Sequence, residues 1–374
     1  MPVEQAKYNI VIAAGGTGGH MYPAEALAKS LLDKNFNVNL ITDQRGKAFS
    51  DKLPQVHIYK ISAGGIAGIN LWRKIKSLLL LVQGYWEARY LLKKISPAVV
   101  IGFGGYASIP TVLAATHLKI STLIHEQNAV LGRANRVLAN KVDIIALSLK
   151  ETKKIGGKNT NKTVLVGNPV RMEFVRPTFS YNFNNEVINI LVTGGSQGTR
   201  SFSKLIPMAI DLLPKDIKQR IKITQQCRSE DIETTKQHYK DLNIDATLAP
   251  FFYNIADHLE KSHLIICRAG ASSVTEIISM GRPSILIPYP YAIDDHQTAN
   301  AQALCIHDAA WIMPEKELTP QKLSDHLHYL FLHPELLEKT AYQAWSLAKP
   351  EAVQSIIHLI EQKINSSLNI ESTT

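Results

Sequence analysis

The chain has 374 residues, a length that suits two domains better than one compact core. Its hydrophobic content of 45% and charged content of 20% are those of an ordinary globular protein, which excludes a collagen, a coiled coil or wholesale disorder. The net charge of +9 suits nucleic acid or an anionic membrane surface, but no nucleic-acid-binding motif is present, so we expect no nucleic-acid partner.

Strand and helix patterns alternate along the first half of the chain. Short apolar runs predict strands, and stretches with helical periodicity, such as Pro23–Lys34 and Ser108–His117, lie between them. Continuous apolar strands followed by helices are typical of a parallel sheet covered on both faces. The predicted strands are Asn9–Ala13, Val38–Thr42, Ala98–Phe103, Thr122–His125, Ile144–Leu147 and Thr163–Val166.

The alternation breaks at Arg176–Asn185, a polar and aromatic stretch typical of a linker, and then restarts. We therefore predict an α/β protein with two doubly wound, Rossmann-like domains in tandem. Ligands of such sheets bind beyond the carboxyl ends of the strands, where every motif described below lies. The strands predicted after the linker are Ile188–Thr193, Ile221–Thr224, Ala246–Leu248, Leu264–Cys267 and Ser284–Ile287.

The first strand runs into a glycine-rich loop, Gly15-Gly16-Thr17-Gly18-Gly19, that ends in His20. Glycines let backbone amides approach an anion, and the following helix start adds positive potential, although a tight turn without a ligand has the same pattern. No Lys-Ser/Thr follows, so this is not a Walker A motif. His20 suits a general base near neutral pH, and a histidine that only hydrogen-bonds the loop is the alternative.

A second loop, Gly102-Phe103-Gly104-Gly105-Tyr106-Ala107, fits the dinucleotide fingerprint G-x-G-x-x-A. Glu126, at the end of the next strand, lies near where a ribose-binding acid belongs. These features favour a dinucleotide-dependent oxidoreductase as one alternative. The position of the loop counts against it, because the fingerprint normally follows the first strand of its unit.

Three polar motifs follow other strands. Asn128, in the segment His125–Asn128, suits a sugar contact, because four polar residues there are costly to bury without partners, and a solvated loop is the alternative. Arg171 ends Gly167–Arg171, which is either an interdomain turn or a diphosphate contact. Gln297 lies in an Asp- and His-containing segment without a third metal ligand, so we favour hydrogen bonding to a sugar.

The second predicted domain opens with Gly194–Gly198, which repeats the first loop and offers the hydroxyl and amide of Ser196 to a phosphate. Further on, Ser272, Ser273 and Glu276 open a helix. In one interpretation Ser273-x-x-Glu276 is a capping box. In the other, the serines and helix amides bind phosphate, and Glu276 accepts hydrogen bonds from two ribose hydroxyls.

Two further features concern location. The cysteines, Cys227, Cys267 and Cys305, are far apart and form no CxxC pair, which favours a reducing compartment over disulfides or zinc. No signal peptide is visible and no apolar run is long enough to span a bilayer, so we expect a cytoplasmic protein. The mixed apolar and basic segment Leu71–Leu79 suits either an anionic membrane surface or a core-facing helix with solvated lysines.

Together the motifs closely resemble the MurG family. These bacterial enzymes transfer N-acetylglucosamine from UDP-GlcNAc to the lipid-linked MurNAc-pentapeptide (lipid I) and form the lipid II of peptidoglycan synthesis. One small departure is Thr199, where the family often has Ala. The motifs, in family order, are GGTGGH (15–20), GFGGYASIP (102–110), HEQNAVLG (125–132), GNPVR (167–171), GGSQG (194–198), CRAGASSVTE (267–276) and DDHQTANA (294–301).

The resemblance implies a GT-B fold, in which two Rossmann-like domains face a cleft. Residues 1–170, with a returning helix at about 350–366, would bind the acceptor and the membrane, and residues 171–349 would bind UDP-GlcNAc. It implies UDP-GlcNAc, lipid I and the anionic inner leaflet as partners, no cofactor, and a peripheral location on the cytoplasmic face of the cell membrane. A UDP-GlcNAc 2-epimerase and a catalytically inactive sugar-nucleotide-binding regulator remain alternatives.

The resemblance also implies residue roles. His20 would be the base of an inverting displacement, Glu276 would bind the ribose and Phe252 would lie near uracil. Helix starts, together with Ser196 and Arg268, would offset the charge on the departing UDP. The diphosphate and donor-sugar contacts that it implies are Thr17, Gly18, Gly19, Asn128, Arg171, Ser196, Ala271, Ser272, Ser273, Val274, Thr275, Glu276 and Gln297.

Overall fold

Two parallel β-sheets, one in each of two units, organise the chain. The computed structural model describes residues 8–15, 18–44, 54–64, 71–183, 186–195 and 199–371, although not the side chains of residues 71–74 and 367–371. Unit 1 comprises Met1–Met172 and Glu351–Thr374, and unit 2 comprises Glu173–Pro350. The predicted α/β class with two doubly wound sheets is confirmed.

Unit 1 holds a seven-stranded sheet in which neighbouring strands are parallel. Its strands are β1 (Asn9–Ala13), β2 (Asn37–Thr42), β3 (His57–Lys60), β4 (Val99–Gly102), β5 (Ser121–Glu126), β6 (Ile144–Leu147) and β7 (Thr163–Leu165). The helices between them are α1 (Gly18–Asp33), α2 (Leu71–Ile95), α3 (Ser108–His117) and α4 (Arg133–Leu138). Across the sheet the strands run in the order β3-β2-β1-β4-β5-β6-β7.

Unit 2 repeats this plan with a six-stranded sheet in the order β10-β9-β8-β11-β12-β13. Its strands are β8 (Ile188–Thr193), β9 (Ile221–Gln226), β10 (Asp245–Ala249), β11 (Leu264–Cys267), β12 (Ser284–Leu286) and β13 (Trp311–Ile312). Its helices are α5 (Arg200–Asp211), α6 (Lys215–Lys218), α7 (Ile232–Asp241), α8 (Ile255–Lys261), α9 (Ala271–Met280), α10 (His296–Cys305), α11 (Pro320–Leu332) and α12 (Pro334–Ser346). Short 3-10 turns lie at Gly157–Lys162, Met172–Phe174, Ser229–Asp231, Ile293–Asp295 and Glu315–Glu317.

The last helix, α13 (Ala352–Glu371), returns to unit 1. It packs beside α1 and completes the core on one face of the sheet, together with Leu27 and Leu31. The residues that it contributes, most of them spaced as on one helical face, are Val353, Ile356, Ile357, Leu359, Ile360 and Ile364. Within the described ranges, no helix is both long and apolar enough to cross a bilayer.

Both faces of the first sheet are covered, which explains why strands such as β4 and β6 are apolar along their whole length. Along β1, Ile10 and Ile12 face the core shared with α1 and α13, whereas Val11 and Ala13 face the core shared with α2 and α3. Because successive strand residues point to opposite faces, each face of the sheet receives every second residue.

The strand order reverses once in each sheet, between β1 and β4 in unit 1 and between β8 and β11 in unit 2. At these points Ala13 pairs with Gly102, and Thr193 pairs with Cys267. A doubly wound sheet binds its ligands at such a topological switch point, beyond the carboxyl ends of the strands. The four motifs that follow β1, β4, β8 and β11 therefore lie where ligands are expected.

Some element boundaries differ from the predictions. Helix α1 begins at Gly18, so Pro23 lies inside it instead of starting it. Strands β3 and β13 were not predicted, because one is a partly exposed edge strand and the other has only two residues.

The predicted linker Arg176–Asn185 is packed against unit 2 over its described part, which ends at Phe183. The ring of Phe183 is buried and stacks on Phe331, and the hydroxyl of Tyr181 donates to the carbonyl oxygen of His263 at 2.8 Å. The aromatic residues of this segment, which made it look irregular in sequence, are therefore those that anchor it. Residues 184–185 lie outside the described part.

Candidate functional site

The two glycine loops of unit 1 lie against each other. Gly105 adopts a φ of +76° and lies so close to the carbonyl oxygen of Gly15 that a Cβ would overlap that oxygen. A Cβ on Gly15 would in turn lie 3.1 Å from the Cβ of Ala107. Glycine is required here for close backbone approach as well as for backbone conformation. The predicted contact residue Thr17 lies outside the described residues.

His20 lies in the first turn of α1, one residue after Gly19, so it belongs to the helix and not to the loop. Its ring lies against Gly104, where a Cβ would be 3.0 Å from both Cε1 and Nδ1. The first-turn amides of a helix have no partner within it and favour an anion, so Gly18 and Gly19 are placed to serve one. These features fit the predicted positions of Gly18, Gly19 and His20 at a binding edge.

A buried chain of hydrogen bonds supports His20. Its Nδ1 is 3.2 Å from Oε1 of Gln127, whose Nε2 donates to the carbonyl oxygen of Phe103 at 3.0 Å. The same Nε2 lies 3.0 Å from Nδ1 of His125, and Nε2 of His125 lies 2.9 Å from the carbonyl oxygen of Gly167. Burial lowers the pKa of His125 to about 4, so this ring is neutral near pH 7.

Glu126 is fully engaged by its own loop. Its Oε1 accepts from the backbone N–H and the Nδ2 of Asn128, at 3.0 and 3.1 Å. Its Oε2 accepts from the N–H of Gly132 at 2.7 Å and from Nδ2 of Asn135 at 2.8 Å. The side chain is 1% exposed, so it does not reach a ribose. A dinucleotide-dependent oxidoreductase requires a carboxylate that binds the ribose, and Glu126 is not available for that role.

Asn128 and Arg171 are each held by a neighbour in unit 1. The hydrogen bonds from Asn128 to Glu126 fix the position of its amide beyond the end of β5. The guanidinium of Arg171 lies 5.4 Å from the ring centre of Tyr22, and a Cβ on Gly18 would touch the same ring at 2.8 Å. The structure thus brings Arg171 to the start of α1.

In unit 2, the start of α9 has the geometry of an anion site. The N-cap is Gly270, and a Cβ there would meet no atom of the described residues within 4 Å. The first N–H to bond within the helix is that of Val274, which donates to the Gly270 carbonyl oxygen at 2.9 Å. The amides of Ala271, Ser272 and Ser273 precede it and, by helix geometry, have no partner within the helix.

Ser272 strengthens this site, because its hydroxyl oxygen is buried and has no hydrogen-bond partner among the described residues. A buried hydroxyl normally has a hydrogen-bond partner, and this one is suited to donate to a phosphate oxygen. The capping-box interpretation is wrong, because Gly270 is the N-cap and Ser273 lies inside the first turn.

The other predicted residues of α9 have distinct positions. Val274 is buried in the core, so its side chain does not face a ligand, and the hydroxyl of Thr275 donates to the carbonyl oxygen of Ala271 at 2.8 Å. Glu276 is half-buried one turn further along. Burial, and secondarily the charge of Glu276, raises the pKa of the Cys267 thiol at the end of β11 to about 12.

The loop after β8 is described up to Gly195, which has a φ of +79° and whose Cβ position has no described atom within 4 Å. The N–H of Gly194 donates to Oε1 of Gln226 at 3.2 Å, and this bond fixes the loop against β9. Ser196, the predicted phosphate ligand, lies outside the described residues.

Arg268 does not fit its predicted role in offsetting the charge of a leaving group. All three guanidinium nitrogens bind the protein: Nη1 donates to the carbonyl oxygens of residues 287 and 288, Nε donates to Thr199, and Nη2 pairs with Glu315 at 2.7 Å. The side chain is buried. Arg268 therefore ties the loop after β12 to the start of α5.

Gln297 and Phe252 follow strands near opposite edges of the second sheet, β12 and β10. The amide oxygen of Gln297, in the first turn of α10, accepts from the N–H of Tyr289 at 2.9 Å. Two residues in the left-handed region, Asp294 and Asp295, set the start of this helix. Phe252 follows β10, is half-buried, and packs its ring on His258 with the ring centres 4.7 Å apart.

Helix α2 carries an exposed apolar stripe in the region of the predicted membrane segment. Its opposite face is fixed to unit 1: Gly84 lies directly against the carbonyl oxygen of Ser62, and Glu87 accepts from the N–H of Ser62 at 2.6 Å. An apolar face of this size indicates a partner or a membrane surface. The stripe, 43–69% exposed, comprises Ile75, Leu78, Leu79, Val82, Trp86 and Tyr90.

No individual role was predicted for Gln127, His125 or Gly104. The polar run after β5 was the available signal, but sequence alone did not distinguish the residues that face a ligand from those that support their neighbours. The structure shows that Gln127 and His125 are supporting residues and that Gly104 makes room for the ring of His20.

Two family models match the chain in tandem. The glycosyltransferase family 28 N-terminal domain matches residues 10–147, and the glycosyltransferase family 28 C-terminal domain matches residues 189–359. Curated relatives carry the name UDP-N-acetylglucosamine--N-acetylmuramyl-(pentapeptide) pyrophosphoryl-undecaprenol N-acetylglucosamine transferase. One, from Paramagnetospirillum magneticum, is 47% identical over 94% of this chain and 95% of its own. Another, from Rhodospirillum centenum, is 44% identical over 93% of this chain and 92% of its own.

Solved structures agree with this match. A crystal structure of Acinetobacter baumannii MurG superposes with a TM-score of 0.79 at 30% identity, over 95% of this chain and all of that one. A UDP-GlcNAc 2-epimerase from Neisseria meningitidis, bound to UDP-GlcNAc, superposes with a TM-score of 0.66 at 12% identity, over 95% of this chain and all of that one. At that identity the second likeness concerns the fold alone.

Proposed function

Since the chain belongs to glycosyltransferase family 28, we propose that it transfers N-acetylglucosamine from UDP-GlcNAc to lipid I and forms lipid II of peptidoglycan. The observation that carries this proposal is the 47% identity, over 94% of the chain, to an enzyme named for that transfer. The fold adds to it, because both sheets present loops and helix starts suited to phosphate at their switch points.

In unit 2 we assign the donor nucleotide to the loops after β8 and β11. The amides of Ala271–Ser273 and the buried hydroxyl of Ser272 would bind the diphosphate, together with Ser196. Glu276 would accept hydrogen bonds from the ribose hydroxyls, and Phe252 would lie near uracil. Val274 would contribute only through the helix that it anchors, and Gln297 would contact the sugar.

In unit 1 we assign the acceptor and the proton transfer. The acceptor hydroxyl oxygen bonds to the anomeric carbon of the donor sugar, the bond from that carbon to the diphosphate oxygen breaks, and UDP leaves with the electron pair. One such displacement inverts the configuration. His20 takes the proton of the attacking hydroxyl, and the amides of Gly18 and Gly19 face phosphate. Asn128, Arg171 and Thr17 would complete the donor site.

The apolar stripe on α2 supports peripheral binding to the membrane that carries the polyprenyl acceptor. Large exposed residues such as Leu79 and Trp86 can insert among lipid headgroups, while the net charge of +9 attracts an anionic leaflet. The location that follows is the cytoplasmic face of the cell membrane. The side chains of Arg73 and Lys74, which the sequence analysis placed in this patch, lie outside the described ones.

One incubation tests the function. The purified full chain is mixed with UDP-GlcNAc labelled in the sugar and a soluble lipid I analogue, and lipid-linked label and free UDP are measured. We expect them to appear in equal amounts. Binding of UDP-GlcNAc without transfer of label to the acceptor would reject the proposal. Conversion of UDP-GlcNAc to UDP-N-acetylmannosamine, or to UDP and free N-acetylmannosamine if water also cleaves the sugar–phosphate bond, is the outcome expected of an epimerase and would reject it too. A parallel titration with NADH should show no binding.

A further inference from the structure

The side-chain amide of Gln127 has only one possible orientation. Its Nε2 lies 3.0 Å from the carbonyl oxygen of Phe103 and 3.3 Å from that of His125. A carbonyl oxygen only accepts hydrogen bonds, so the NH₂ group must face these two oxygens. A rotated amide would place three oxygens together in a buried site, where Gln127 is 2% exposed. Oε1 of Gln127 therefore faces His20.

This orientation determines which nitrogen of His20 carries a proton. An amide oxygen cannot donate, so Nδ1 of His20, 3.2 Å away, must be the donor. A neutral imidazole with its proton on Nδ1 has its lone pair on Nε2. We propose that Gln127 is a positioning residue that holds His20 in the Nδ1–H tautomer and thereby makes Nε2 the atom that accepts the proton during glycosyl transfer. This inference rests on the proposed function of His20.

His125 holds the amide from the other side. Its Nε2 lies 2.9 Å from the carbonyl oxygen of Gly167, so Nε2 donates and the neutral ring accepts at Nδ1. That acceptor faces the Nε2 of Gln127 at 3.0 Å. A protonated His125 would direct a second N–H at the NH₂ group of Gln127, so the arrangement requires a neutral ring. The chain of bonds runs from Gly167 through His125 and Gln127 to His20.

The arrangement suits a general base because it does not change during the reaction. The Nδ1–H of His20 donates to Gln127 when the ring is neutral and still donates after Nε2 has taken a proton. The hydrogen bond between His20 and Gln127 therefore keeps its direction as the charge develops. Gly104 adds to this, because its missing Cβ leaves room for the ring edge that holds Cε1 and Nδ1.

The tautomer is measured directly in the wild-type protein. We label the full chain with ¹⁵N-histidine, record two-bond ¹H–¹⁵N spectra above the titration range of the histidines, and assign His20 by its loss in His20→Gln. We expect a protonated Nδ1 and an unprotonated Nε2. A proton on Nε2 in the neutral ring overturns the proposal, whether or not any variant folds.

The variant Gln127→Met tests whether the tautomer of His20 and kcat depend on Gln127. It removes the acceptor and keeps a side chain of similar length, so we expect kcat to fall about 10- to 100-fold, part of what a general base contributes. The KM for UDP-GlcNAc should not change, and the His20 spectrum should shift to the other tautomer or a mixture. Unchanged kcat with an unchanged His20 spectrum contradicts the proposal.

The matched control is Gln362→Met. Gln362 also pairs with a histidine, His358, at 2.8 Å, but on the exposed surface of α13. This variant should keep wild-type kcat and the wild-type His20 spectrum. The experiments distinguish the proposed function from the positioning role. A wild-type chain that transfers no sugar rejects the proposed function. An active chain whose neutral His20 carries its proton on Nε2 rejects the positioning role of Gln127.

Discussion

Nδ1 of His20 lies 3.2 Å from the amide oxygen of Gln127, a residue 107 positions further along the chain. The contact joins the first turn of α1 to the loop after β5. It is possible because β1, β4 and β5 are successive parallel strands of the sheet, so their carboxyl ends lie at the same edge. The candidate base is therefore held by the sheet topology and not by its own loop alone. Substitutions in neighbouring segments should therefore affect how well His20 acts as a base.

Replacing His20 tests whether it is the base. His20→Ala should lower kcat roughly 10²- to 10⁴-fold, the usual contribution of general-base catalysis, while the Kd for UDP stays close to wild type. Steady-state kinetics and calorimetry measure the two quantities. A kcat within a few-fold of wild type would show that another group takes the proton.

Gly104 should be as sensitive as a catalytic side chain although it has none. In Gly104→Ala the new Cβ would lie 3.0 Å from the His20 ring, and φ of +95° strains any residue other than glycine. We expect kcat to fall about 10-fold or more and stability to fall by about 1–3 kcal/mol. The control is Gly157→Ala, where a Cβ meets nothing within 4 Å. Equal activity of the two variants would contradict the close fit of His20 and Gly104.

Glu276 should be a determinant of nucleotide affinity. Glu276→Ala should weaken UDP binding about 10- to 100-fold, since a hydrogen bond to a charged group is worth about 1.5–3 kcal/mol. The same substitution should have little effect on binding of 2′,3′-dideoxy-UDP, which lacks the hydroxyls. The exposed Glu233 on α7 provides the control in Glu233→Ala. An equal loss for both nucleotides would reject the ribose contact.

The apolar stripe on α2 should determine membrane affinity. The double variant Leu79→Ser, Trp86→Ser removes two side chains that are 63% and 62% exposed, so folding should be little affected. Binding to vesicles with anionic lipid, measured by co-sedimentation, should weaken about 10-fold or more, given about 1.5–3 kcal/mol per large side chain fully buried. The exposed pair in unit 2, Leu212→Ser with Leu332→Ser, is the control. Equal binding of both double variants would place the membrane contact elsewhere.

His125 should make the stability of the protein depend on pH. Burial lowers its pKa to about 4, below the ordinary 6.5, so the unfolded chain binds a proton that the folded chain does not. The free energy of unfolding should therefore fall as the pH drops from about 6.5 towards 4, by up to about 3 kcal/mol, and this contribution should be constant above pH 7. Urea titrations at pH 7.5 and 5 measure the difference, which should be smaller in His125→Phe. A variant with the wild-type pH dependence would contradict the assignment.

The buried strands could be predicted from sequence because strands covered on both faces are apolar without interruption, as in β1 and β11. The first residue of a helix was harder to predict where the sequence offers two possible starts. Pro23 suggested a helix start, yet α1 begins at Gly18, and Ser273 suggested a cap, yet the N-cap is Gly270.

The supporting residues of the site could not be predicted. The pairing of Gln127 with the carbonyl oxygen of Phe103, 24 residues away, depends on the parallel register of β4 and β5. The engagement of Arg268 by Glu315 likewise depends on where the loop after β13 returns. Sequence spacing shows which chemical groups are present, but only the packed sheets decide which of them support the backbone and which face a ligand.

The return of α13 to unit 1 has a consequence for the order in which the protein is made. The core beside α1 includes Val353, Ile356, Ile357, Ile360 and Ile364, so its apolar surface stays uncovered until these residues have left the ribosome. Unit 2 lies between residues 173 and 350 and can fold before that point. The part of the chain that is synthesised first is thus completed last, and the nascent N-terminal half must avoid aggregation throughout translation of the rest.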